Sequence, residues 1–114
     1  MGRVSIDLGV LQLIKQTILE EAGKLGVEVE RIILFGSRVR GEEREGSDWD
    51  VLVVVKGNMS WKVFFKLQSR LRMRLFRLLG GEIDLIIIEK KRFDERKDLW
   101  GSIEYTAARE GVTV

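Results

Sequence analysis

The sequence predicts an α/β fold of the α+β kind: a small mixed three-stranded sheet with helices packed on one face. Three observations carry that prediction. Three short apolar runs, VERIILFG, DWDVLVVV and EIDLIII, read as strands. Two longer segments repeat apolar residues at three-and-four spacing, the mark of amphipathic helices. Helical and strand segments alternate along the chain, which favours layers of helix on sheet.

The first element, from Ser5 to about Leu25, places Leu11, Ile14, Ile18, Ala22 and Leu25 on one helical face, with Ser5 as N-cap and Gly26 as stop. VERIILFG (29 to 36) is short, rich in β-branched residues and closed by glycine, hence a buried strand. Residues 37 to 44 read as loop, with a short helical turn opening at Ser37. DWDVLVVV (48 to 55) is the second strand, and its Val-rich half suggests burial on both faces. In SWKVFFKLQSRLRMRLFRLL (60 to 79), Phe64, Leu67, Leu71, Leu75 and Leu78 draw one apolar stripe, and Gly80-Gly81 ends the helix. EIDLIII (82 to 88) is the third strand, and a weaker helix is expected from about Asp94 to Glu110, closed by Gly111. This arrangement leaves the second face of the sheet open for a site.

A chain of 114 residues suits a single domain, residues 1–114, with no room for a separate substrate domain. A formal net charge of +2 is too small to mark a nucleic-acid binder by itself. The chain has no cysteine and no histidine. That excludes disulfides, thiolate nucleophiles, Cys- or His-ligated zinc and imidazole general bases. Chemistry is left to carboxylates, hydroxyls, Lys, Arg, backbone amides or a hard metal bound through oxygen. Neither a signal peptide nor an apolar run approaching the roughly 20 residues of a membrane span is visible, so a cytoplasmic protein is expected.

The stretch GSRVRGEEREGSDWD (36 to 50) concentrates the candidate chemistry. Asp48 and Asp50 stand two apart on a strand and project from one face, their Cβ atoms roughly 7 Å apart. Two like charges that close call for a cation between them. Oxygen-only ligands point to Mg²⁺ or Mn²⁺. Asp84 heads the third strand, and if strands two and three are adjacent and parallel it joins the other two carboxylates, a set suited to one or two divalent ions. Gly36 permits close backbone approach, and Ser37 opening a helical turn would offer amides and a hydroxyl to a phosphate. For these groups to meet, strands one and two must be antiparallel. Each feature alone also reads as ordinary turn chemistry or as a charge protecting a strand edge. Glu42, Glu43 and Glu45 in the same loop read as solvated charge.

Gly36-Ser37, ten intervening residues and Asp48-Trp49-Asp50 resemble the GS-x10-DxD signature of the nucleotidyltransferase superfamily that includes DNA polymerase β. The chain resembles its smallest branch, the minimal nucleotidyltransferases, with Asp84 in place of the family's third carboxylate. The resemblance covers nearly the whole chain and implies a polymerase β-like nucleotidyltransferase core. It implies transfer of a nucleoside monophosphate, AMP from ATP or its counterpart from another nucleoside triphosphate, with release of pyrophosphate. Gly36 and Ser37 would then hold the β and γ phosphates, and Asp48 and Asp50 would ligate Mg²⁺ or Mn²⁺. Asp84 would complete a second metal site and help deprotonate the attacking hydroxyl. The resemblance also implies a partner, a HEPN-domain toxin, for which this chain is the antitoxin that adenylylates it on tyrosine. The alternative is an antitoxin that masks its partner by binding alone. Transfer to nucleic acid or to a small molecule is disfavoured, because no further domain is present to hold that acceptor.

A second feature is basic. The helix at 60–79 holds six of the chain's 20 Lys and Arg residues and no acidic residue. Lys62, Lys66, Arg70, Arg74 and Arg77 form a stripe beside the apolar face. Three readings stay open: a soluble surface with salt bridges to acidic helices of the same fold, a docking surface for an acidic partner protein, or contact with RNA phosphates. Phe65 and Phe76, off the centre of the core stripe, would supply the apolar part of a protein interface.

Overall fold

The computed structural model describes residues 8–36, 39 and 49–114. Ser5, Ser37, Glu42, Glu43, Glu45 and Asp48 lie outside them. The described elements are α1 (Leu8–Lys24), β1 (Val29–Phe35), β2 (Trp49–Val55), α2 (Trp61–Leu79), β3 (Ile83–Glu89), α3 (Lys90–Arg96), α4 (Ile103–Glu110) and β4 (Val112–Thr113). The strands form one mixed sheet in the order β3-β2-β1-β4. β1 runs antiparallel to β2 and to β4, and β2 runs parallel to β3.

The predicted class and mixed pairing agree with the sequence reading, and the structure corrects it twice: the sheet has four strands, not three, and helices cover both of its faces, not one. A two-residue strand pairs with β1, with Val112 opposite Leu34 and Thr113 opposite Ile33. The second face of the sheet also has a helical cover. On the first face, Ile14 and Ile18 of α1 and Leu67, Leu71 and Leu75 of α2 pack on Ile32, Leu34, Val51, Val53, Leu85 and Ile87. On the second, Phe93 of α3 and Ala107 of α4 pack on Ile33, Phe35, Leu52, Val54 and Ile88. Strand alternation thus feeds two cores, which is why Val51 to Val55 are all buried.

The single helix expected from Asp94 to Glu110 is two helices. α3 ends at Arg96, and in the turn that follows Gly101 takes φ 90°, a left-handed conformation open to glycine, just before α4 begins. Ser102 then starts the second as N-cap. Its hydroxyl accepts from the Tyr105 amide at 3.0 Å and donates to the Arg96 carbonyl at 2.8 Å.

The long helix α2 follows its sequence signals. The Ser60 hydroxyl accepts from the Val63 amide at its start, and Gly80 closes it in the left-handed conformation with its amide on the Phe76 carbonyl. α2 is clamped to α1 through Glu21, a carboxylate that is 1% exposed. Glu21 accepts from Arg70 Nε at 2.6 Å, Arg74 Nη1 at 2.8 Å and Lys24 Nζ at 3.3 Å. Those cations hold its pKa at about 2, the hydrogen bond from Arg70 foremost, against the upward push of burial. A matching clamp joins α3 to α4. Burial alone would push the Glu104 carboxyl up, but its own backbone amide together with Arg96 and Arg92 brings it below the ordinary value. Arg92 and Arg96 donate to Glu104 at 3.1 and 3.2 Å.

Candidate active site

The site is built where three strand ends meet. β1 delivers Gly36 at its C-terminal end, and β2 and β3 deliver Asp50 and Asp84 near their N-terminal ends. The Trp49 amide donates to the Glu82 carbonyl at 2.9 Å, which sets the start of β2 against the start of β3. In the resulting register Asp50 pairs with Asp84 across the parallel strands, and with Phe35 across the antiparallel ones. Parallel neighbours stand about 4.8 Å apart. Both carboxylates share the alternation of Leu52, Val54, Ile86 and Ile88, so they leave the sheet on the face that α3 and α4 cover farther along the strands. Asp84 is exposed and Asp50 half-buried.

Gly36 sits directly against this pair. Its φ is 87°, and a Cβ there would run into the Asp50 carboxylate oxygen. No side chain fits between the end of β1 and Asp50, so the backbone itself forms that wall. The chain then turns: the Val39 amide donates to the Gly36 carbonyl at 3.1 Å, and Val39 is buried in the first core. This turn anchors the far side of Gly36. Val39 carries no chemistry, and its apolar character inside a polar loop is the signal that marks it.

Of the expected site residues, the fold brings Gly36, Asp50 and Asp84 together. Ser37 and Asp48 lie outside the described residues. The basic stripe of α2 is divided. Arg70 and Arg74 serve the structural role that the salt-bridge reading described, since both are engaged by Glu21, and Arg74 also reaches Glu20 at 3.0 Å. Lys62, Lys66 and Arg77 are exposed and stand apart from that clamp.

Residues 14–99 match the sequence profile of the family described as polymerase beta, nucleotidyltransferase. The chain belongs to the polymerase β nucleotidyltransferase family. Among solved structures, this nucleotidyltransferase is similar to one described as a minimal nucleotidyltransferase, at 25% identity and TM-score 0.60, over 98% of this chain and 100% of that one. It shares its fold with a toxin–antitoxin structure holding AMP-PNP (18% identity, TM-score 0.55, 87% of this chain and 70% of that one). A mutant MntA toxin–antitoxin pair gives a comparable match (16% identity, TM-score 0.54, 87% and 70%). No curated protein sequence matches the nucleotidyltransferase chain. None of its described helices is long and apolar enough to cross a membrane.

Proposed function

We propose that the chain, residues 1–114, works as one domain that transfers a nucleoside monophosphate, AMP from ATP, to a hydroxyl of a partner protein. The observation that carries this reading is the in-register placement of Asp50 beside Asp84, with the side-chain-free wall of Gly36 against Asp50. Family membership supports the reaction class.

The donor set fits a hard divalent cation. Two carboxylates stand on neighbouring strands at an open sheet end, a third, Asp48, is two residues from Asp50, and the chain has neither His nor Cys to favour a softer metal. Asp48, Asp50 and Asp84 would hold Mg²⁺ or Mn²⁺, which when bound offsets triphosphate charge and the charge that develops on the attacking and leaving oxygens. Gly36 and Ser37 receive the β and γ phosphates through backbone amides and the Ser37 hydroxyl. Without a side chain on Gly36, a phosphate can approach the backbone next to Asp50. Asp84, exposed at the mouth of the site, accepts the proton of the incoming hydroxyl. The acceptor oxygen forms a bond to the α phosphorus as the bond from that phosphorus to the bridging oxygen breaks, and pyrophosphate leaves.

The acceptor in this reading is a HEPN-domain toxin and the setting is the cytoplasm. The toxin–antitoxin relatives of the same fold, one with AMP-PNP, support a partner and a nucleoside triphosphate as substrate. The test is a label-transfer assay with ATP labelled on the α or the γ phosphate, Mg²⁺ and a candidate partner. Label reaching the partner from the α position alone, and lost in Asp50→Asn, is the expected result. Absence of transfer from every nucleoside triphosphate, with the partner still bound, would replace this reading with antitoxin action by masking.

A further inference from the structure

At about 100° per residue, α2 presents two apolar faces. Leu67, Leu71 and Leu75 point at the sheet and are fully buried. Met73, Phe76 and Phe65 fall on the far side of the helix and Trp61 on its flank, and all four are between 54% and 67% exposed. Single exposed apolar side chains are ordinary on a surface, whereas four large ones on one helix face form a patch. Met73 and Phe76, with Arg72, Arg77 and Ile83, also line a groove of about 720 Å³ between α2 and the start of β3.

We propose that this outward face of α2 docks an acidic amphipathic helix of a protein partner. Charge selects the occupant. The face carries Lys62, Lys66, Arg72 and Arg77, and α2 has no acidic residue. No ion pair joins these four cations to a carboxylate among the described residues, unlike Arg70 and Arg74 on the α1 side. Glu82 is the one acidic residue lining the groove, at its β3 end. A second copy of this chain would bring the same cations against each other, which disfavours self-association. Single-stranded RNA needs open ring faces to stack on. Here Trp61 and Phe65 meet edge to face at 6.2 Å, Phe65 meets Phe64 the same way at 5.6 Å, and Lys62 Nζ stands over the Trp61 ring. A helix with apolar residues at i, i+3, i+4 and i+7 and Asp or Glu flanking them matches both the aromatic anchors and their basic rim.

The surface is independent of the transfer chemistry, so its test uses neither nucleotide nor divalent cation. Fluorescence anisotropy of the full chain is measured against three labelled probes: a helical peptide with a Leu stripe flanked by Glu, its twin flanked by Lys, and a single-stranded RNA oligonucleotide. The Glu peptide should bind best and lose at least about tenfold in affinity in Arg72→Glu/Arg77→Glu, which should in turn gain the Lys peptide. That gain also shows that the variant is folded. Phe65→Ser/Phe76→Ser, at exposed positions, should weaken the Glu peptide without favouring the Lys peptide. Unchanged binding of the Glu peptide in both variants would overturn the proposal. So would tighter binding of RNA than of either peptide, or a dimer of this chain that Phe65→Ser/Phe76→Ser dissolves.

Discussion

Gly36 and Asp50 are packed so closely that the glycine's missing side chain is part of the site: a Cβ on Gly36 would collide with the Asp50 carboxylate. Gly36→Ala therefore adds a steric conflict to the strain of placing alanine at φ 87°. Gly26 provides the control, because its φ is 71° and nothing lies within 4 Å of the position a Cβ would take. We expect Gly26→Ala to cost about 1 kcal/mol and Gly36→Ala clearly more, within roughly 1–3 kcal/mol, by urea denaturation. Equal costs would mean that Asp50 moves aside freely.

Asp50 and Asp84 stand opposite each other in the parallel β2–β3 register, which brings two negative charges together. Asp50→Asn and Asp84→Asn should each leave the cation-free protein at least as heat-stable as the parent. Both should reduce nucleotidyl transfer by about 100-fold or more, the scale of losing a group that stabilises charge in the transition state. Mg²⁺ should raise the melting temperature of the parent, through binding to the native state, and should do so less in either variant. A variant with full transfer activity would remove that carboxylate from the site.

Glu21 makes the α1–α2 clamp dependent on pH. Its folded pKa of about 2 lies below the ordinary carboxylate value of 4.5, so the clamp stabilises the native state fully above about pH 4.5. The contribution is lost progressively as pH falls from 4.5 towards 2. Glu21→Gln should destabilise by about 1 kcal/mol at neutral pH, a modest figure because half-exposed Arg70 and Arg74 are screened by water. Thermal melts of parent and variant should converge near the acid end of that range. A gap that stayed constant with pH would assign the loss to packing instead of charge.

Gly80 tests the end of α2. It sits in the left-handed conformation at φ 69°, with open space around a would-be Cβ. Gly80→Ala should cost about 1 kcal/mol in a thermal or urea melt, from backbone strain alone. A neutral substitution would show that the α2–β3 turn adopts another path.

Much of this was legible because the local signals agree with one another. Ser60 and Gly80 bracket α2 as its sequence announces, and the need for Gly36 to meet Asp50 by itself implies the antiparallel β1–β2 pair. The position of Asp84 likewise followed from a parallel β2–β3 pair. Less was legible where the cause is tertiary. Val112 and Thr113 are too few to show a strand period, and they pair only because β1 offers its edge. Glu21 and Glu104 look in sequence like any surface charge, and only the arginines brought to them from other segments make their burial tolerable. The salt-bridge reading of the α2 stripe fits Arg70 and Arg74, but nothing in the sequence names Glu21 as their partner.

The two halves of the site have different histories during synthesis. Gly36 and Asp50 belong to a pair of strands that can close as soon as Val55 has left the ribosome, whereas Asp84 arrives only after the whole of α2 has crossed back over the sheet. A nascent or broken chain ending before β3 carries Gly36, Asp48 and Asp50 but not Asp84. The pairing of Asp50 with Asp84, on which the proposed transfer rests, therefore forms only once the crossover is complete.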